Sequence, residues 1–215
     1  MRRLKRYGKR HNNIFISHIN NHLREYCIAS VVFFIGVLIG IVFVNNLKQE
    51  QASEVTTYIT TFVNNSKKGN VHVNTFNLLK NSIQSNVLIV ILLWLLGSTV
   101  IGLLLVYLIV TFKGFCLGYT ISIIVYSLGK LKGTLFIAST ILLKNIIAIP
   151  AILSLAVSGM KLYKSIMQDR RKENVKIEVI RHTIFSVFIL LVLIFSSIIE
   201  VYLSQGIFKY CLKYL

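Results

Sequence analysis

Proline occurs once in 215 residues, acidic side chains seven times and cysteine three times, and each scarcity closes off a class of molecule. A single proline with twelve glycines excludes collagen-like repeats and proline-rich disorder. Cys27, Cys116 and Cys211 are too few for a disulfide scaffold and too far apart for a C-x-x-C metal or redox signature. Lying within or beside apolar runs, they read as small apolar residues. Charge is scarce as well, 14% of the chain against 55% hydrophobic residues, far from a soluble globular average. The 24 Lys and Arg leave a formal net charge of +17, but they sit in short stretches between apolar runs, without the spread basic face of a nucleic-acid module. Composition points to a membrane protein with no nucleic-acid partner.

Catalytic signatures are missing too. None of the five His lies inside an apolar run, whereas an intramembrane enzyme needs a nucleophile with its base, or metal ligands, at membrane depth. His18 and His22 have the i, i+4 spacing of two ligands on an expected juxtamembrane helix. The intervening Ile19-Asn20-Asn21 lacks the Glu of H-E-x-x-H, so the pair reads as two interfacial polar residues. His182, at the mouth of the last run, reads the same way. No P-loop, G-x-S-x-G or paired-carboxylate pattern occurs. The chain is expected to be non-enzymatic, with no cofactor and no metal.

What is present is a series of apolar runs. The first, Cys27 to Val44, has 18 residues without a charge, enough to cross a bilayer core. It exits into Val44-Asn45-Asn46-Leu47 with no cleavage signature, which predicts a retained anchor. The second, Val87 to Val110, has 24 uncharged residues. Lys113-Gly114 separates it from a third, spanning 114–129. A fourth, 134–159, carries Lys144, Asn145 and Pro150, and a fifth covers 183–203. The third run is short, and charge decides that it crosses. With five crossings and a cytoplasmic N-terminus, the inside holds seven basic residues up to Arg24, Lys113, and seven more from Lys161 to Arg181, against eight outside. A run that dipped and returned would turn the 160–182 loop outward, against the positive-inside rule. The expected fold is an all-α, five-span integral membrane domain over residues 1–215, multi-pass in the cell membrane.

The segment 45–86 is the one stretch large enough to build structure outside the membrane. Val55, Tyr58, Ile59, Phe62 and Val63 recur at i, i+3, i+4, i+7, i+8, one apolar stripe on a helix. After Lys67-Lys68-Gly69-Asn70, the residues Phe76, Leu79 and Ile83 paint a second, shorter stripe, with Asn74 or Thr75 as N-cap. Such helices must bury their stripes against the bilayer surface, the spans or another protein, so these residues are candidate partner contacts.

Two charges lie at membrane depth. Lys144 falls about ten residues, or roughly 15 Å, below the outer face and Glu200 about one turn below it, so the two are within reach of each other as an ion pair between the fourth and fifth spans. Intramembrane charges are functional candidates by default, and with Pro150, which is expected to kink its helix, they support an alternative reading as a small transporter or channel component. Gly36-x-x-x-Gly40 and Gly114-x-x-x-Gly118 remove side chains along one helix face, which favours a compact bundle or a homo-oligomer.

Leu93-Trp94-Leu95-Leu96-Gly97, Val100-Ile101-Gly102 and Phe112-Lys113-Gly114-Phe115-Cys116-Leu117-Gly118-Tyr119 resemble the stage II sporulation protein M family of endospore-forming bacteria. Val44-Asn45-Asn46-Leu47, Ile149-Pro150-Ala151 and Glu200-x-Tyr202-x-Ser204 are similar to it as well, so the resemblance runs through nearly the whole chain. Its most specific part is the motif of Phe112, Lys113, Gly114, Phe115, Gly118 and Tyr119. The resemblance implies a scaffold of the engulfment machinery, located at the sporulation septum or engulfing membrane. Its implied partners are two peptidoglycan hydrolases, stage II sporulation proteins D and P, besides membrane lipid. More distant relatives often carry a His-Gly pair and a Glu ahead of Ile-Pro-Ala. This chain has Lys144-Asn145 and Ala148 there, so no polar membrane site carries over from them.

Overall fold

A computed structural model describes residues 23–67, 74–99, 102–168 and 172–211. The expected juxtamembrane helix with His18 and His22 lies outside the described residues. Within them no strand occurs, and the chain forms α1 (Leu23–Asn45), α2 (Gln49–Lys67), α3 (Thr75–Gly97), α4 (Gly102–Leu128), α5 (Lys130–Ile137), a π-helical turn (Ala138–Leu142), α6 (Leu143–Gln168) and α7 (Lys172–Cys211). Five segments are long and apolar enough to cross a membrane: Leu23–Asn45, Thr75–Gly97, Gly102–Leu128, Lys144–Met167 and Val175–Tyr202. The chain is an all-α multi-pass membrane protein.

The number of crossings agrees with the sequence, but several boundaries move. The second and third helices part at residues 98–101, not at Lys113, so the expected runs 87–110 and 114–129 become α3 and α4. An uncharged turn suffices there. Ser98 N–H bonds to the Leu95 carbonyl, Thr99 N–H to Leu96 and Gly102 N–H to Thr99, while the two hydroxyls donate to the Trp94 and Leu96 carbonyls. With the last carbonyls of α3 satisfied internally, no charge is needed to end it. At the other end of α3, the Asn74 side chain caps the helix by accepting from the Phe76 and Asn77 N–H groups at 3.1 and 3.3 Å. Phe76 and Leu79 therefore belong to the first turns of a span, not to a separate surface helix. The fourth and fifth runs likewise extend, to α5 through α6 and to the 40-residue α7, leaving little of 160–182 as loop.

Among the described residues only Gly129 has positive φ, at 81° with ψ at 166°, a region essentially closed to residues with a Cβ. It reverses the chain between α4 and α5, and Gly133 N–H closes the turn on the Gly129 carbonyl at 2.8 Å.

Inside lipid no hydrophobic force draws helices together, so close backbone approach and interhelical hydrogen bonds must do so. The bundle uses one for each seam. Between α1 and α4, Gly36 and Gly40 face Gly114 and Gly118. A Cβ would overlap the carbonyl oxygen of Thr111 at Gly36, Phe115 at Gly40, Phe33 at Gly114 and Val37 at Gly118. Between α3 and α7 the contacts are polar: Asn86 donates to Ser197 Oγ (2.8 Å) and the Leu193 carbonyl (3.3 Å), the Ser82 and Ser197 hydroxyl oxygens lie 3.0 Å apart, and Trp94 Nε1 donates to Thr183 Oγ1 (3.0 Å). A common core of Phe33, Leu93, Val106, Val110, Leu155 and Leu193 joins all five spans.

Candidate functional site

Three places bring chemistry-bearing residues together. The first is within the membrane. Lys144 Nζ and Glu200 Oε2 form an ion pair at 2.7 Å, with side chains 21% and 28% exposed. Ser82 on α3 donates to the same carboxylate oxygen and accepts from Lys144 at 3.1 Å, so three helices meet on one carboxylate. Ser196 Oγ also donates to the Lys144 carbonyl at 3.0 Å, beside the π-helical turn at 138–142. One side of this cluster opens into a cavity of about 210 Å³ lined by Lys113, Thr120, Thr140, Lys144, Asn145 and Glu200 among apolar neighbours. Lys113, expected in a cytoplasmic loop, is thus well inside α4 on a cavity wall. One Lys did not end the helix because it faces polar groups rather than lipid. Pro150 does not line the cavity.

The second place is α2. Val63 and Ala52 are buried, and Val55 and Ile59 pack on a cluster of Val44, Ile123, Ile124 and Ile137 from α1, α4 and α5. Thr56 Oγ1 and Ser127 Oγ add a hydrogen bond at 3.2 Å. Three of the five residues of the expected partner-binding stripe, Val55, Ile59 and Val63, are therefore turned to the chain's own spans, which corrects their assignment to a partner. The outer flank, with Tyr58 75% exposed, is an open face shared with Glu54, Thr57, Thr61, Phe62 and Asn65. Phe76 is 72% exposed, but it belongs to α3.

The motif at 112–119 divides its work among helix faces. Gly114 and Gly118 meet α1, and Lys113 faces the cavity. Phe115 stacks between Phe112 and Tyr119 at 6.4 and 6.2 Å, and Phe43 of α1 packs edge-on against Phe115 at 5.7 Å.

Sequence reasoning missed a third cluster, at the end of the bundle opposite α2. His182, expected at the mouth of the last span, is only 2% exposed, enclosed by the helices themselves. Its Nδ1 lies 2.9 Å from Ser158 Oγ, and among the described residues no group hydrogen-bonds its buried Nε2. Gly97 and Gly159 make room for the ring, since a Cβ on Gly97 would come within 3.0 Å of Nε2. The available signal was periodicity: His182, Ser186, Ile189, Leu193, Ser196 and Ser197 fall on one buried face of α7.

Among the described residues no group of three or more His, Cys, Asp or Glu is arranged to hold a metal ion. A family model described as Stage II sporulation protein M matches residues 29–205, covering all three places and the motif. No curated protein and no solved structure matches the chain.

Proposed function

The chain belongs to the stage II sporulation protein M family, and on that premise we propose that it is a non-catalytic membrane scaffold that localises peptidoglycan hydrolases at the septal membrane for engulfment of the forespore. Its family ties it to sporulation and its five apolar helices to the membrane; the hydrolases, the expected stage II sporulation proteins D and P, are the proposed partners. One observation carries the reading. Helix α2 is clamped to the spans by its Ala52, Val55, Ile59 and Val63 face, which leaves the Tyr58 flank directed away from the bundle. A helix resting on lipid needs no such clamp, whereas a docking helix gains affinity from being held in place before its partner arrives.

Two substitutions on the same helix test this. Tyr58→Asp should abolish co-purification of the hydrolases and block engulfment while the protein accumulates normally. Val63→Asp should instead lower accumulation, since it places a charge in the packed seam. Recruitment of both hydrolases by the Tyr58 variant would move the docking surface elsewhere.

A second reading, a small transporter or channel component using Lys144, Pro150 and Glu200, draws on the polar cavity. It requires that Lys144→Met with Glu200→Gln abolish function even while the hydrolases are still recruited.

A further inference from the structure

The cavity wall holds two ammonium groups, Lys113 and Lys144, against one carboxylate, Glu200. That carboxylate is engaged: it is paired with Lys144 and bonded by Ser82. Among the described residues, Lys113 has no carboxylate at ion-pair distance. Its depth makes this expensive. Lys113 is 11 residues into α4, about 16 Å along the helix axis, and it is level with the Phe33–Gly36 turn midway along α1, where Gly114 meets the Phe33 carbonyl. A cation at that depth is paired with a counter-charge or lines a polar cavity.

The neighbouring hydroxyls do not supply a counter-charge. Thr120 and Thr140 spend their hydrogens on the Cys116 and Phe136 carbonyls, both at 2.7 Å, and the Asn145 amide donates to the Ile141 carbonyl at 2.9 Å. The donors left for a ligand are the Lys113 ammonium, the third hydrogen of Lys144 and the second amide hydrogen of Asn145. Donors from α4 and α6 thus converge on one space with a single positive charge in excess. That arrangement suits an oxyanion carrying one negative charge, and the cavity of about 210 Å³ admits a group of five heavy atoms.

We propose that this cavity binds a monoanionic phosphate group between Lys113 and Lys144, supplied by the phosphodiester of an anionic bilayer lipid or by free phosphate. The ligand completes the charge balance of the bundle, which makes the stability of the protein depend on it. Its readouts do not involve hydrolase recruitment, so this proposal stands or falls apart from the scaffold reading.

The test uses the full chain in nanodiscs of phosphatidylcholine alone, the same with added phosphatidylglycerol, and phosphatidylcholine nanodiscs with inorganic phosphate in the buffer. Thermal unfolding and native mass spectrometry of retained lipid are the readouts. The wild-type protein should unfold at higher temperature in at least one anionic arm. Stabilisation by phosphatidylglycerol alone identifies the lipid headgroup, and stabilisation by inorganic phosphate identifies the free anion. Lys113→Met should weaken the apparent affinity by about tenfold or more, whereas Lys113→Arg, which keeps the charge, should stay within about threefold of wild type. Lys176→Gln, an exposed change on α7, controls for adsorption to the basic surface and should leave the effect intact. The proposal is overturned by a wild-type protein indifferent to both anions, by full retention of the effect in Lys113→Met, or by equal losses in Lys113→Met and Lys176→Gln.

Discussion

Replacing the partners of the intramembrane ion pair, singly and together, separates the attraction between them from the cost of having charges at that depth. Lys144→Met leaves Glu200 with Ser82 alone, and Glu200→Gln leaves the Lys144 ammonium facing a neutral amide. A charge at the centre of a membrane helix costs about 2.5–3.5 kcal/mol on insertion scales. With side chains 21% and 28% exposed, neither partner is fully in hydrocarbon, so each single change should destabilise by about 2 kcal/mol. The double variant removes both charges and keeps the Ser196 bond to the Lys144 carbonyl at 3.0 Å, which still ties α6 to α7. Its loss should also be about 2 kcal/mol rather than the sum, a coupling of the size expected for contacting residues. Reversible unfolding in mixed micelles, followed by circular dichroism, measures all three. If the double loss equals the sum of the single losses to within about 0.5 kcal/mol, the two groups do not act on each other and the reasoning fails.

Gly118→Leu, which drives a side chain into the Val37 carbonyl, should cost at least about 3 kcal/mol and lower the yield of folded protein, while Leu104→Ala on the exposed face of α4 should change neither. Gly129→Ala meets no atom within 4 Å yet should lose about 1–2 kcal/mol in thermal unfolding through its backbone conformation alone. Asn86→Ala should cost about 0.6 kcal/mol and at most about 1.7 kcal/mol, the measured span for interhelical hydrogen bonds in membranes; a loss of 4 kcal/mol would mean that the α3–α7 seam depends on it far more than its two bonds explain. In a background with Cys27, Cys116 and Cys211 replaced by Ser, a cysteine at Ser66 should label from outside intact cells and one at Lys172 should not; the reverse pattern would invert the topology.

What the sequence made legible were the features that repeat along a helix or lie at a fixed distance from a membrane face. Five apolar runs sufficed for the number of crossings. Counting residues from the faces put Lys144 and Glu200 within reach of each other, and they form a 2.7 Å pair. The G-x-x-x-G spacings marked two faces able to approach closely, although nothing in one dimension said that they would approach each other. Boundaries were harder because charge was used as the terminator. Lys113 looked like a loop residue since its cavity is built from Thr140, Asn145 and Glu200, distant in the chain. The actual turn begins at Ser98, where Gly97-Ser98-Thr99 offered a break without a charge. The α2 stripe showed which residues would be buried but not on what, because a helix's apolar face is the same whether it meets its own spans or a partner.

Helix α7 is a single element of 40 residues, about 60 Å long and twice the thickness of the hydrocarbon it crosses. Its two polar stations, the buried His182 and the paired Glu200, are 18 residues apart, or five whole turns at 3.6 residues per turn. They are therefore in phase, and the cluster at one end of the bundle and the ion pair toward the other share a rotational setting. Inserting one residue between them turns the far half of the rod by about 100° relative to the near half, so only one station can dock at a time. A torque applied to one end of this helix is felt as a change of azimuth at the other, with no jointed loop between them to absorb it.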